Sequence, residues 1–585
     1  MALKGLSSSG WLLLALAAAA AAAPAVNVPL DHWGYGFVER FEARGGLRGI
    51  GDGIKPFSRR ELALAVAAVA ARQRQGLELS AVEREELRLL QEEFNAELRE
   101  LGEEVPPAPG RLAGEGTLYQ YTCPQGDLQA DLVVRQQSDL FAGRGRQETE
   151  RVFRNRLGGA VRGHFADRIG YRISFLQTRE QGSRSYFLRD DVYERRLEAL
   201  QLKGDLADFH EGMAYLTFSL PAVDVELGKD QVSWGPAPGD NLGLSRNAPS
   251  FDMIRLRARY GAFKLVSVAG FLRPCPQRPD SPICGSGETD AEASYIADGT
   301  ARTLEREKRL AAHRLEVALA PWIDLGFQEV VVYGDRGLEP TYLNPIMFYW
   351  AAQSYLGDKD NLMMGVDVDL HARGVRAYFA YVVDDLKKAR IFSSDFANKF
   401  SFQTGLLWVD PVGRKDTDLR VEYVRIEPWI YTHKFPVNTF RHFDSPLGHS
   451  LGPNSDRWQV RLERRFVRGL SVELALNRTR HGDNELLADG SVRNVGGDLH
   501  LGPGGEARAR KKFLDGQLSR RTALGGKGGW RVRPHLFIEA GYEREWGKGV
   551  PLPPRWGSGV ALKNRTGYGD GGQQHFHFEL RYGYL

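Results

Sequence analysis

The chain has 585 residues, 26% of them charged, and a net charge of only +4, so neither a nucleic-acid binder nor a strongly polyanionic or polycationic tail is indicated. It is polar on average, with a mean hydropathy of -0.38. Beyond the N-terminus no apolar run is long enough to span a bilayer as a helix, which leaves a β-barrel as the one membrane-spanning fold open to it.

In MALKGLSSSGWLLLALAAAAAAAPA a single Lys4 precedes an apolar stretch from Trp11 to Ala23, and Ala23-Pro24-Ala25 fits a small-x-small cleavage site. Residues 1–25 are therefore expected to be a secretory signal peptide, and the chain to be exported. Residues 26–105 read as helical. Ser58 with Glu61, and Ser80 with Glu83, have capping-box spacing. After the second box, Leu87, Leu90, Phe94, Leu98 and Leu101 form one apolar stripe on a charged helix. A Pro-rich linker, 106–116, follows.

From Thr117 to Leu585 the period changes to two. Tyr171, Ile173 and Phe175 alternate with Arg172 and Ser174, and Ile254, Leu256, Ala258 and Tyr260 with Arg255, Arg257 and Arg259. Leu419, Val421 and Tyr423 do so with Arg420 and Glu422, and Trp458, Val460 and Leu462 with Gln459, Arg461 and Glu463. Segments of about ten residues suit tilted bilayer-crossing strands. The fold class expected is an all-β transmembrane barrel of about 18 antiparallel strands with a small N-terminal α-helical domain. The terminal HFHFELRYGYL places Phe576, Phe578, Leu580, Tyr582 and Tyr584 on one face, an aromatic-rich strand of the kind offered to barrel-assembly machinery. Gly-, Pro- and Arg-rich stretches 273–307 and 482–529 read as long loops, and TYLNPIMFYWAAQSYLGDKDN as a helical segment inside or over the barrel, with Leu343, Ile346, Met347 and Trp350 on one side.

Little in the chain indicates catalysis. Asp367 with Asp369, and Glu539 with Glu543, share strand faces, but same-face carboxylates recur on any barrel interior. No HExxH, GxSxG or paired CxxC occurs, so no catalytic residue, metal site or cofactor is expected. Cys275 and Cys284 lie close in a Pro-rich loop and are expected to form a disulfide, leaving Cys123 over. In LGHSLGPNSD, residues 447–456, Gly448 and Gly452-Pro453 predict two tight bends, with Asn454, Ser455 and Asp456 bonding local backbone.

Four segments resemble the capsule-assembly Wzi family of outer-membrane proteins: GKDQVSWGPAPGDNLGLSRNAPSFDMIRL (228–256), YLNPIMFYWAAQSYLGDKDNLMMGVDVDL (342–370), RHFDSPLGHSLGPNSDRW (441–458) and the N-terminal LDHWGYGFVERFEARG…KPFSRREL. The last is also similar to a surface-layer-homology module, a class that binds cell-wall polymers. The Wzi resemblance implies an 18-stranded barrel in the outer membrane of a Gram-negative-type bacterium, closed at its periplasmic end by the helical domain. It implies a lectin-like role in holding capsular or extracellular polysaccharide, with no enzymatic activity. Other expected partners are outer-membrane lipids and peptidoglycan. A porin for small polar solutes with a wall-tethering module is the alternative. The candidate sugar contacts, chosen on chemistry, are Trp234 for stacking and Asp240, Asn241, Arg246, Asn247, His449 and Asn454 for hydroxyls.

Overall fold

In the computed structural model, residues 26–47, 49–103, 117–143, 148–166, 168–184, 201–274, 289–297, 300–385, 394–503, 510–551 and 568–584 are described. The expected signal peptide and the pair Cys275 and Cys284 lie outside them. Period-two alternation builds a closed wall of 18 antiparallel strands. Closure is made by the last strand, Tyr568–Tyr582, pairing with the first long one, Gly126–Gly143. Outward residues are those read as apolar: Ile173, Phe175, Trp458, Leu462, Phe576 and Phe578 are exposed, whereas Arg172, Arg255 and Arg257 are buried in the lumen. Tyr584 departs from that series. Gly583 takes a positive φ of 82°, and Tyr584 turns inward onto His32, with ring centroids 4.6 Å apart.

One end of the barrel has turns as short as 261–262 and 373–374; the other carries long connections such as 231–250, 335–360 and 427–454. The stretch read as a loop over 482–529 ends earlier, because Gln517–Arg533 is a barrel strand. Its Gly525, Gly526, Gly528 and Gly529 have no side chains to alternate, which hid the period.

The short-turn end is filled by four helices, α1 (Gly34–Ala43), α2 (Arg59–Arg74), α3 (Ala81–Glu93) and α4 (Asn95–Glu100). Both capping boxes form as read, on Ser58–Glu61 and Ser80–Glu83. The apolar stripe runs across two helices rather than one, since Phe94 leaves helical dihedrals between α3 and α4. Leu87, Leu90, Phe94 and Leu98 pack with Phe37, Phe41 and Leu62 in a core of their own.

Ion pairs fix this plug to the wall. Glu39 meets Arg376 at 2.7 Å and Arg420 at 2.6 Å. Arg40 meets Asp410 at 2.6 Å and also Asp418, and Glu61 meets Lys264 at 2.7 Å. The Arg and Glu side chains that alternation turns inward therefore pair largely with the plug and with one another. Glu42 of α1 takes no part in these pairs. It is buried at 1% exposure with neither carboxylate oxygen hydrogen-bonded, and burial followed by the charge of Asp52 pushes its pKa well up. Its site therefore favours the neutral form, and Glu42→Gln is expected to leave the thermal midpoint unchanged or raise it, whereas Glu42→Asp gains nothing. A fall of several degrees at pH 7.5 in Glu42→Gln would contradict this.

At the long-loop end the lumen is closed by an apolar core rather than by charge. Loop 231–250 folds inward until Ser233–Trp234 pairs with Ile54–Lys55 of the plug. Trp234, Leu242 and Leu244 from this loop, with Ile430, Phe440 and Leu447 from 427–454, pack on lumenal Val266, Val268, Val330 and Val424.

Two helices in 335–360, α5 (Pro340–Leu343) and α6 (Tyr349–Tyr355), lie over the outward face of the wall. Tyr342, Tyr349 and Ala352 pack on outward Ala311, Val331 and Tyr333. Beneath them sits outward-facing Glu329. Its carboxylate accepts from the backbone N–H groups of Tyr349 (2.9 Å) and Trp350 (3.3 Å), and its Oε2 lies 2.9 Å from His313 Nε2. Leu343, Ile346 and Trp350 point away from the barrel and are exposed, while Met347 packs against the wall cluster.

Candidate functional site

The inward loop carries most of the expected contacts, and the structure sorts them by exposure. Trp234 is 1% exposed in the lumenal core, so neither face of its indole is presented for stacking. Asn241 is likewise buried. Its amide donates to Ser233 Oγ (3.1 Å) and its Oδ1 accepts from the Ala237 N–H (3.1 Å), so it shapes the loop. Asn247 is half-buried and donates to the Pro446 carbonyl at 2.9 Å, joining loop 231–250 to 427–454. Asp240 and exposed Arg246 remain open to a cavity of about 150 Å³. Wall residues Arg420, Glu422, Arg457 and Arg461 complete its polar lining. Guanidinium groups beside two carboxylates suit a ligand rich in hydroxyls or bearing carboxylates.

The stretch 447–456 abuts this cavity. A side chain at Gly448 would come within 2.5 Å of the Leu242 carbonyl and the Tyr431 hydroxyl, so the backbone approach requires glycine. Ser450 Oγ donates to Asp240 Oδ2, and His449 Nδ1 accepts from the Leu451 N–H at 3.2 Å. Ser450 and His449 thus face different partners and do not pair as nucleophile and base. Burial lowers the pKa of His449 to about 4, leaving it neutral. Asn454 does not make the local turn read from sequence. Its amide donates to the carbonyls of Gly482 (2.7 Å) and Asp515 (3.0 Å), and its Oδ1 accepts from the Leu514 N–H (2.7 Å). It ties three segments together at a positive φ of 55°, a conformation asparagine tolerates. Ser455 bonds locally as read, to the Leu451 and Pro453 carbonyls, and its Oγ also lies 2.8 Å from His481 Nδ1 on the next strand, while Asp456 pairs with Arg480 across the strands.

The paired carboxylates are also committed. Asp367 accepts both Arg314 nitrogens, at 2.6 and 2.8 Å, and Asp369 binds Arg376. Arg461 falls in the lumen-facing alternation at 458–463 and Arg457 just precedes it, and nothing local in the sequence marks either as a cavity residue.

A larger cavity of about 410 Å³ lies between the plug and the opposite wall. Trp33 and Phe37 of the plug face Arg135, Glu463, Glu539 and Arg581 across it.

An 18-stranded antiparallel wall, with a helical plug at one end and an apolar core of inward loops at the other, defines a plugged β-barrel of the outer-membrane kind. The chain belongs to the family described as capsule assembly protein Wzi, whose model matches residues 131–550. The chain is similar in fold to Wzi of Escherichia coli, described as a carbohydrate-binding β-barrel and an outer membrane protein involved in group 1 capsule assembly. The TM-score is 0.55 at 11% identity, covering 96% of this chain and 100% of that one. Two other solved structures also match: OccAB1 of Acinetobacter baumannii (TM-score 0.42, 9% identity, covering 78% and 96%) and OprD of Pseudomonas aeruginosa (0.41, 11%, 78% and 92%). No curated relative matches the chain.

Proposed function

We propose that the chain is an exported, non-enzymatic barrel of the outer membrane that holds capsular or other extracellular polysaccharide at the cell surface, in a lectin-like role. Membership of the capsule-assembly family over residues 131–550 carries this reading. The apolar core around Trp234 supports it, because a lumen packed in this way is suited to holding a polymer rather than passing solutes. In this orientation the short-turn end faces the periplasm, where α1–α4 are placed to meet peptidoglycan. The strand Tyr568–Tyr582 is the segment offered to the assembly machinery. Ile346 and Trp350 on the outward helices then face the outer-leaflet lipids.

Within the site, Asp240 and Arg246 of the inward loop, with Arg457 and Arg461 of the wall, are the proposed sugar contacts. The test is binding of labelled surface polysaccharide from the source cell to detergent-purified full-length protein. Saturable binding is expected, weakened about tenfold or more in Arg246→Ala with Arg461→Ala, since each charge-assisted hydrogen bond lost is worth about 1.5–3 kcal/mol. Equal binding by that variant would remove the cavity from the proposal. No binding by the parent protein would remove the lectin-like role.

A further inference from the structure

Where the last strand meets the first long one, the lumenal face of the wall brings together three groups that are far apart in sequence. Asp139 lies on strand Gly126–Gly143, and His575 and His577 lie on Tyr568–Tyr582. Alternation turns all three inward, since the residues on either side of His577, Phe576 and Phe578, face out and are exposed. Asp139 Oδ1 is 2.9 Å from His575 Nε2 and 2.9 Å from His577 Nδ1, and the three ligand atoms lie within 4.8 Å of one another. We infer that this cluster is a binding site for a divalent transition-metal ion of the zinc class.

Each ligand is oriented by a neighbour. The second carboxylate oxygen of Asp139 accepts from Arg154 at 2.6 Å and from Gln137 at 3.0 Å, leaving Oδ1 to turn toward the histidines. The ring of His575 stacks on Phe141, with centroids 4.3 Å apart and planes 10° from parallel. His577 Nε2 lies 3.7 Å from Glu539 Oε1 and 3.9 Å from Glu579 Oε2. A carboxylate behind the far nitrogen of a ligating imidazole is the arrangement that fixes ring and tautomer at metal sites.

Two imidazoles and one carboxylate suit zinc, which takes such ligands at about 2.0–2.2 Å, and the half-buried histidines leave room for a fourth ligand from the lumen. In the metal-free arrangement Nε2–H of His575 and Nδ1–H of His577 donate to Asp139. On binding, each proton moves to the opposite ring nitrogen, where that of His577 faces Glu539. The carboxylate and imidazole ligand atoms spread from hydrogen-bond contact by about half an ångström to reach tetrahedral separations.

The experiment uses tag-free full-length protein in detergent, stripped with EDTA and titrated with zinc against a chromophoric competitor. One ion per chain is expected. The double variant His575→Asn, His577→Asn is expected to lose it while its thermal unfolding stays cooperative. Glu539→Gln should weaken binding by about 10–100-fold, the usual effect of removing an orienting partner. Cobalt added in place of zinc should give the visible absorption of a low-coordinate site in the parent protein only. Failure of the parent to compete for zinc would overturn the inference, as would unchanged stoichiometry or an unchanged cobalt spectrum in the double variant.

Discussion

Replacing Arg376 with alanine is expected to loosen the plug more than any other single change in the wall. Its side chain is 1% exposed and joins three parts of the molecule. It donates to Asp369 of the neighbouring strand at 2.9 Å, to Glu39 of α1 at 2.7 Å, to Asp52 at 3.1 Å and to the Pro236 carbonyl of the inward loop at 2.9 Å. Truncation leaves three buried acidic groups short of their shared cation. Breaking a buried ion pair from one side costs about 3–5 kcal/mol, because the remaining charge stays desolvated. Arg420 still holds Glu39, so the plug is expected to undock at a lower temperature rather than be absent. Arg376→Lys should recover part of the loss, since an ammonium supplies charge but not the planar fork that reaches four acceptors. Thermal unfolding followed by protease sensitivity of α1–α4 measures this, with strand signal by circular dichroism as the internal control. Equal midpoints for plug release in parent and Arg376→Ala would contradict it.

Acidification is expected to release the plug with a defined profile. Burial alone would raise the carboxyls of Glu39, Glu61 and Glu93. It is outweighed by Arg420 and Arg376 at Glu39, by Lys264 and Arg257 at Glu61, and by His32 at Glu93, so all three are held at about 2. A folded-state pKa below the ordinary 4.5 means that the stabilisation is fully present above about pH 4.5 and is lost as pH falls toward 2. Glu42 and Asp52 work in the opposite sense. Burial comes first among the causes that raise them, so protonation relieves an unfavourable charge and docking strengthens as pH falls through their raised pKa values. Plug protection should therefore hold or rise slightly on mild acidification and fall steeply as pH drops from about 4.5 toward 2. Protection declining steadily from pH 8 downward would show that these carboxylates do not hold the plug.

Much of this architecture is legible from the chain, and the exceptions have physical causes. Alternation at 171–175, 254–260 and 458–462 marks the outward face correctly because lipid-facing and lumenal positions differ in chemistry at every step. The capping boxes at Ser58 and Ser80 are legible because a cap is a local hydrogen-bond pattern. Strand Gln517–Arg533 is hidden where four glycines remove the side chains that would carry the period. The placement of α5 and α6 has a signal that is easily passed over. In the outward series Leu325, Phe327, Glu329, Val331 and Tyr333, one acidic residue interrupts an apolar row, and a charge on that face needs a cover. Trp234 and Asn454 illustrate the opposite difficulty. Residue type suggests sugar chemistry, but folding a loop into the lumen consumes an indole and an amide in packing and ties. The Asp139–His577 contact joins residues 438 apart, a proximity that only barrel closure creates.

The reading of this family member as a holder of polymer rather than a conduit rests on a lumen closed by α1–α4 and by the core around Trp234. Planar-bilayer recording of the pure full-length protein tests that most directly. The structure predicts no steady large conductance from the intact chain. A steady large conductance from it would contradict the closed lumen and favour a solute-passing porin instead.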